Sequence, residues 1–205
     1  MNLFEDTYQT IAAPAEGLFK DKGSKFIAYA YPLKDESAVR ETVGALKAQH
    51  PKARHHCWAY RLTPDRTIFR INDDGEPSGT AGRPILNTLL SNDVTNVLVV
   101  VVRYFGGTLL GVPGLIHAYK TACQEALSAA TIVELTVNDT YRITVGYEQL
   151  NDVMRIVKDE SLTVLKQGFD NRCTMEIEIR QLQVGRVLGR LEQVEGIEIT
   201  FVSTG

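Results

Sequence analysis

The segment Asn96-Val97-Leu98-Val99-Val100-Val101-Val102-Arg103 constrains this chain more than any other. Successive residues of a strand point to opposite faces, so a strand with one wet face alternates apolar and polar residues. An unbroken run from Val97 to Val102 leaves no wet face. It predicts a strand in the middle of a sheet, covered by other elements on both sides. The run is far too short to span a bilayer as a helix. With 205 residues, 44% of them apolar, the chain can bury such a core in one or two domains.

Around this strand the pattern is mixed. Residues 8–33 read as two strands joined near Pro14 to Gly17. A helix follows, with Asp35 as a cap, Val39, Val43 and Leu46 at helical spacing, and Pro51 as its stop. Residues 55–62 and 66–71 read as a hairpin around Thr63-Pro64-Asp65. A short helix is expected over 84–90, with Pro84 near its first turn, and a long one over 115–130. Beyond residue 130 the pattern restarts as strand 133–145, helix 147–160, strands 162–167 and 173–179, helix 182–191 and strand 197–202. That βαββαβ order is a ferredoxin-like layout. The expectation is an α+β protein with domains at 1–130 and 131–205.

Charge narrows the functional classes. The formal net charge is -3, and residues 1–130 carry 14 Lys and Arg against 13 Asp and Glu, while 131–205 carry 8 against 12. This excludes a generally basic nucleic-acid coat protein, though not a local basic patch. Cys57, Cys123 and Cys173 are odd in number and lack zinc or redox spacing, which fits a reducing cytosol. The start MNLFEDTYQT is acidic where a signal peptide is basic, so a cytoplasmic protein without membrane insertion is expected.

Two loops carry candidate chemistry. In Asn72-Asp73-Asp74-Gly75-Glu76-Pro77-Ser78-Gly79-Thr80-Ala81-Gly82-Arg83, three carboxylates fall within four positions just before a predicted helix, whose free N–H groups favour anions. The same composition is also what ordinary surface turns are made of. The second loop, Arg103-Tyr104-Phe105-Gly106-Gly107-Thr108-Leu109-Leu110-Gly111, links the buried strand to a helix N-terminus. It lacks both the P-loop ending and the GxGxxG fingerprint, and its glycines taken alone read more readily as tight-turn residues than as a ligand cradle. Both loops sit at element ends of one domain and are expected to meet. His55 shares a strand face with Cys57 and Arg61, a weak base or ligand pattern against a hydrogen-bonded structural histidine, and no third ligand stands at metal spacing. Lys22, Ser24 and Lys25 form a basic and hydroxyl cluster at a strand start.

Four blocks in order, Lys22-Gly23-Ser24-Lys25-Phe26, Ala53-Arg54-His55-His56-Cys57-Trp58-Ala59-Tyr60, residues 74–82 and Val102 to Gly111, make the chain resemble the IMPACT/YigZ family. The resemblance implies an N-terminal domain similar to domain 2 of ribosomal protein S5 and a C-terminal domain similar to the last domain of elongation factor G. It also implies a translational role, since eukaryotic relatives regulate translation by binding an activator of a stress kinase. The chain departs from the family at Pro113-Gly114-Leu115-Ile116-His117, where a basic residue is usual, which weakens anion binding at that helix start.

The leading functional expectation is a binding protein that recognises RNA, the ribosome or a translation-regulating protein partner. Its expected cleft comprises Lys22, Ser24, His55, Asp73, Asp74, Glu76, Ser78, Thr80, Arg83, Arg103, Tyr104, Gly106 and Gly107, with Phe105 and Trp58 as stacking surface. No cofactor and no metal set is called for. An alternative is a phosphoryl-transfer or hydrolytic enzyme whose acidic loop holds a divalent cation. A third reading docks a protein on the C-terminal sheet. No motif sets the oligomeric state.

Overall fold

The computed structural model describes residues 6–205, which divide into two compact units: Gln9–Leu135, and Thr136–Gly205 with the described residues up to Tyr8. The division falls a few residues beyond position 130, because β7 (Ile132–Thr136) still belongs largely to the first unit. A two-stranded sheet pairs β1 (Thr7–Ile11) with β7.

The N-terminal unit is built on a five-stranded antiparallel sheet in the order β2-β3-β6-β4-β5. Its strands are β2 (Ala15–Asp21), β3 (Ser24–Pro32), β4 (His55–Leu62), β5 (Ile68–Asn72) and β6 (Val97–Tyr104). The valine run is the central strand β6, and every residue from Val97 to Val102 is fully buried. Val97, Val99 and Val101 join a core with α2 (Gly82–Ser91) and α3 (Gly111–Ala129). Leu98, Val100 and Val102 join a second core with Val39 and Leu46 of α1 (Ser37–Gln49) on the opposite face. Full burial of each such side chain contributes roughly 1.5–3 kcal/mol. The run thus reports two-sided burial, here in a sheet with no parallel pair.

Helix α3 approaches the sheet closely because its inward stripe is small. Ala118, Ala122 and Ala126 are fully buried, and a Cβ on Gly17 of β2 would lie 2.2 Å from the Ala126 nitrogen. Helix α1 starts just after Asp35, whose carboxylate accepts the Ser37 backbone N–H at 2.8 Å.

Three expectations are corrected. The first hairpin turns at Lys22-Gly23, both with positive φ, not near Pro14 to Gly17, where residues 12–14 separate β1 from β2 and Ala15 to Gly17 already belong to β2. The long helix begins at Gly111 instead of Leu115, so Pro113 sits in its first turn, where no intrahelical N–H is needed. Finally, the expected strand 133–145 is two strands, β7 and β8 (Asn138–Val145).

The C-terminal unit is a four-stranded antiparallel sheet, order β11-β8-β10-β9, with β9 at Thr163–Phe169, β10 at Cys173–Arg180 and β11 at Glu198–Thr204. Helices α4 (Leu150–Asp159) and α5 (Val184–Leu191) give the βαββαβ order and pack Val153, Ile156, Val187 and Leu191 into one core with the sheet. Among the described residues no helix is long and apolar enough to cross a membrane.

Candidate functional site

The acidic turn is organised around its own carboxylates. Asp73 accepts the backbone N–H groups of Ala81 and Gly82 on one oxygen, at 3.0 and 2.8 Å, and that of Gly79 on the other at 2.9 Å. It thereby supplies the acceptor that the start of α2 lacks, since the residue before the helix, Ala81, has no capping side chain. Asp74 pairs with Lys47 at 3.1 Å and accepts the His56 backbone N–H at 2.7 Å. Thr80 is buried and donates to the Pro77 carbonyl at 2.7 Å.

Glu76 turns inward. Its side chain is 3% exposed and takes Arg103, itself 7% exposed, at 2.6 Å, with the Tyr119 hydroxyl donating to the same oxygen at 2.8 Å. The Arg103 guanidinium also lies over the rings of Phe26 and Phe105, at 5.4 and 5.6 Å. The His55 Nδ1 is 2.9 Å from the Asp74 carbonyl, which only accepts, so Nδ1 carries the proton and Nε2 faces Glu76 at 4.0 Å.

The diglycine turn is held from the other side. A Cβ on Gly106 would fall 1.9 Å from the Gly23 carbonyl carbon, so the turn packs directly on the β2–β3 hairpin. The Gly106 N–H donates to buried Ser24 Oγ at 3.1 Å. Gly107 has φ +89 and open space around it, so its requirement is conformational.

The two loops meet across the Arg103–Glu76 pair and border a hollow of about 440 Å³. Of the expected residues, His55, Glu76 and Arg103 line it, as does Phe105, expected as stacking surface. The others do not. Lys22 sits exposed at the hairpin turn and Ser78 at the loop surface. Arg83 borders a different hollow between α2 and α3. Tyr104 belongs to the α1 side of the sheet, where its hydroxyl meets His50 at 2.8 Å, and Trp58 packs on that side too. Strand alternation carried the signal for both residues, because Tyr104 and Arg103 are neighbours on one strand and face opposite ways.

Sequence reasoning missed the residues that leave the hollow open to partners. Arg54 is exposed at its edge, and Leu109, Leu110 and Val112 form a rim with Phe105. Leu109 is 83% exposed and Phe105 50%. Leucines beside a glycine-rich turn, outside any helical period, were the available signal.

The acidic loop does not fit a metal ion. The Asp73 and Asp74 oxygens and Glu76 Oε1 are engaged by donors within the protein, and among the described residues no group of three His, Cys, Asp or Glu converges as a ligand set. Cys57 offers no nucleophile either. Its thiol is fully buried within reach of the Asp73 carbonyl (3.0 Å) and the Tyr119 hydroxyl (3.3 Å), and burial pushes its pKa well up.

Comparisons with known proteins place this chain, with its paired loops on a doubly covered antiparallel sheet, in one family. A model of the Impact N-terminal domain matches residues 22–127. The chain is 38% identical over 151 residues to an IMPACT family member from Haemophilus influenzae, covering 72% of this chain and 73% of that one. It is also 38% identical over 144 residues to the IMPACT family member YigZ of Escherichia coli, covering 69% and 71%. A crystal structure described only as a hypothetical protein superposes with a TM-score of 0.76 at 27% identity, covering 98% of this chain and 99% of the other. The chain belongs to the IMPACT family.

Proposed function

We propose that this chain is a translation-associated regulatory protein that recognises a protein partner through the hollow of its N-terminal unit. The translational setting comes from the family, whose eukaryotic members regulate translation. The fold labels belong to the same proposal: an N-terminal unit similar to domain 2 of ribosomal protein S5, and a ferredoxin-like C-terminal unit similar to the last domain of elongation factor G, supported by its strand order β11-β8-β10-β9.

One observation carries the choice of partner: Leu109, Phe105 and Val112 stand exposed around a concave surface that also holds the exposed Arg54. Apolar side chains gathered around a hollow mark interaction sites. A protein segment presenting an apolar anchor and a nearby carboxylate complements them. RNA is less favoured. Of the two arginines expected to meet phosphate, Arg103 is consumed by Glu76 and Arg83 lies at another hollow.

The test is co-sedimentation with purified ribosomes that retain their associated factors, comparing native protein with Leu109→Asp and Arg54→Glu. The expected result is association that depends weakly on salt and falls about tenfold or more in Leu109→Asp. Steep salt dependence together with indifference to Leu109→Asp would replace the protein partner with RNA. Absence of association in the native protein would remove the ribosome as the place of action.

A further inference from the structure

On the opposite face of the N-terminal sheet, α1 and the strands β4 and β5 enclose a second hollow of about 480 Å³. None of the residues proposed above for partner recognition lines it. Its apolar surface comes from Val39 and Val43 on the helix and from Trp58 on β4. The Trp58 and Tyr60 rings stack nearly parallel, 8° apart in plane with centroids at 5.8 Å, and Trp58 is half-buried, which leaves part of the indole facing the hollow. The buried Tyr60 hydroxyl stands beside the Glu36 carboxylate and the Arg70 guanidinium at the edge of this hollow, and burial pushes its pKa up to about 12.

Two further features need explanation. Gly44 lies in the interior of α1, where glycine is less stable than alanine, yet a Cβ there would meet nothing within 4 Å. No packing constraint calls for a glycine, and its missing side chain keeps the helix wall of the hollow low. The charged lining is three cations, Arg40, Lys47 and Arg70, against the single carboxylate of Glu36. Arg70 is 3.7 Å from Glu36 and Lys47 is paired with Asp74, while Arg40 has no ion pair among the described residues.

We propose that this hollow binds a nucleoside phosphate, with the base against Trp58 and the phosphate held by Arg40 at a rim shared with Lys47 and Arg70. Inorganic phosphate alone would leave the apolar walls unused, and a neutral apolar ligand would leave the cations unused. The combination of a flat ring with an anion uses both. The same chemistry is offered by a free mononucleotide and by one residue of a single-stranded RNA.

Trp58 is the chain's single tryptophan, so its emission reports on this hollow directly. The experiment titrates the full-length protein with AMP and with single-stranded oligoadenylate, exciting where adenine does not absorb, with adenosine and inorganic phosphate as separate arms. Saturable quenching by AMP and oligoadenylate, at least tenfold weaker with adenosine or phosphate, is expected; quenching by oligoadenylate alone identifies RNA as the source and also supports the site. Gly44→Leu should abolish the response by filling the hollow, and Arg40→Glu should weaken it about tenfold while far-ultraviolet circular dichroism stays native. Leu109→Asp should leave it unchanged, which separates this site from the proposed partner surface. No saturable change with either adenine ligand, or an undiminished change in both Gly44→Leu and Arg40→Glu, overturns the proposal.

Discussion

The two units treat charge on their sheets in opposite ways. In the N-terminal unit, helices cover both faces, and the Arg103–Glu76 pair is buried between the Tyr119 hydroxyl on the core side and the Phe105 ring, forming the floor of the hollow. In the C-terminal unit, α4 and α5 pack against residues 143, 145, 175 and 177, and the alternate residues carry Arg142, which is exposed and reaches Glu176 at 2.7 Å, with Lys166 at 3.1 Å. The first arrangement fixes a loop geometry at a high cost if one partner is lost. In the second, the Glu176 side chain is itself mostly covered, but both of its partners are exposed and each can stand in for the other, so losing one costs little. Residue type alone would rank the two clusters as equal site candidates, and the burial of the cationic partner separates them.

The sharpest way to break this comparison is to truncate one partner on each side. Arg103→Ala leaves a buried carboxylate unpaired and is expected to destabilise the N-terminal unit by about 3–5 kcal/mol, whereas Arg142→Ala should cost less than about 1 kcal/mol. Denaturant unfolding followed by Trp58 emission for the first unit and by circular dichroism for the whole chain measures both. Equal losses would contradict the burial argument. Gly106→Ala comes next, at about 1–3 kcal/mol, because its Cβ would collide with the Gly23 backbone and not with a movable side chain. A neutral Gly106→Ala would mean that the diglycine turn is looser than its packing implies.

Acid should also separate the units, with a smaller effect. His56 is held below its ordinary pKa mainly by burial, so the unfolded chain binds the proton more readily. The stability linked to it is present above about pH 6.5 and is lost as pH falls below that value. Asp6, in the C-terminal unit, is held low first by its hydrogen bond to Arg180, so its contribution is present above about pH 4 and is lost only below it. Trp58-monitored stability should therefore decline first on acidification, and His56→Phe should flatten that decline. A decline below pH 6.5 that His56→Phe leaves intact would assign it to another group.

Much of this architecture was legible in the residues. The valine run announced two-sided burial, the helix stripes and Pro51 marked α1, and strand and helix periods gave the βαββαβ order of the C-terminal unit. The meeting of the acidic and diglycine turns also followed from their places at element ends. What could not be read was which charges would neutralise one another. Asp73, Asp74 and Glu76 look like a free acidic cluster until backbone N–H groups, Lys47 and Arg103 are found at their oxygens. The hairpin at Lys22-Gly23 was hidden because a two-residue turn leaves little mark between strands, and a basic cluster was read in its place. Leu109 was overlooked because apolar residues are expected inside, and an exposed one becomes meaningful only beside a hollow.

Leu109→Asp, followed in parallel by unfolding and by binding to factor-bearing ribosomes, tests most directly the division of this hollow into a structural floor and a recognising rim. The expected outcome is an unfolding free energy within about 0.5 kcal/mol of the native protein, as for an exposed position, together with loss of binding. Retained binding, or a loss of stability as large as that of Arg103→Ala, would contradict it.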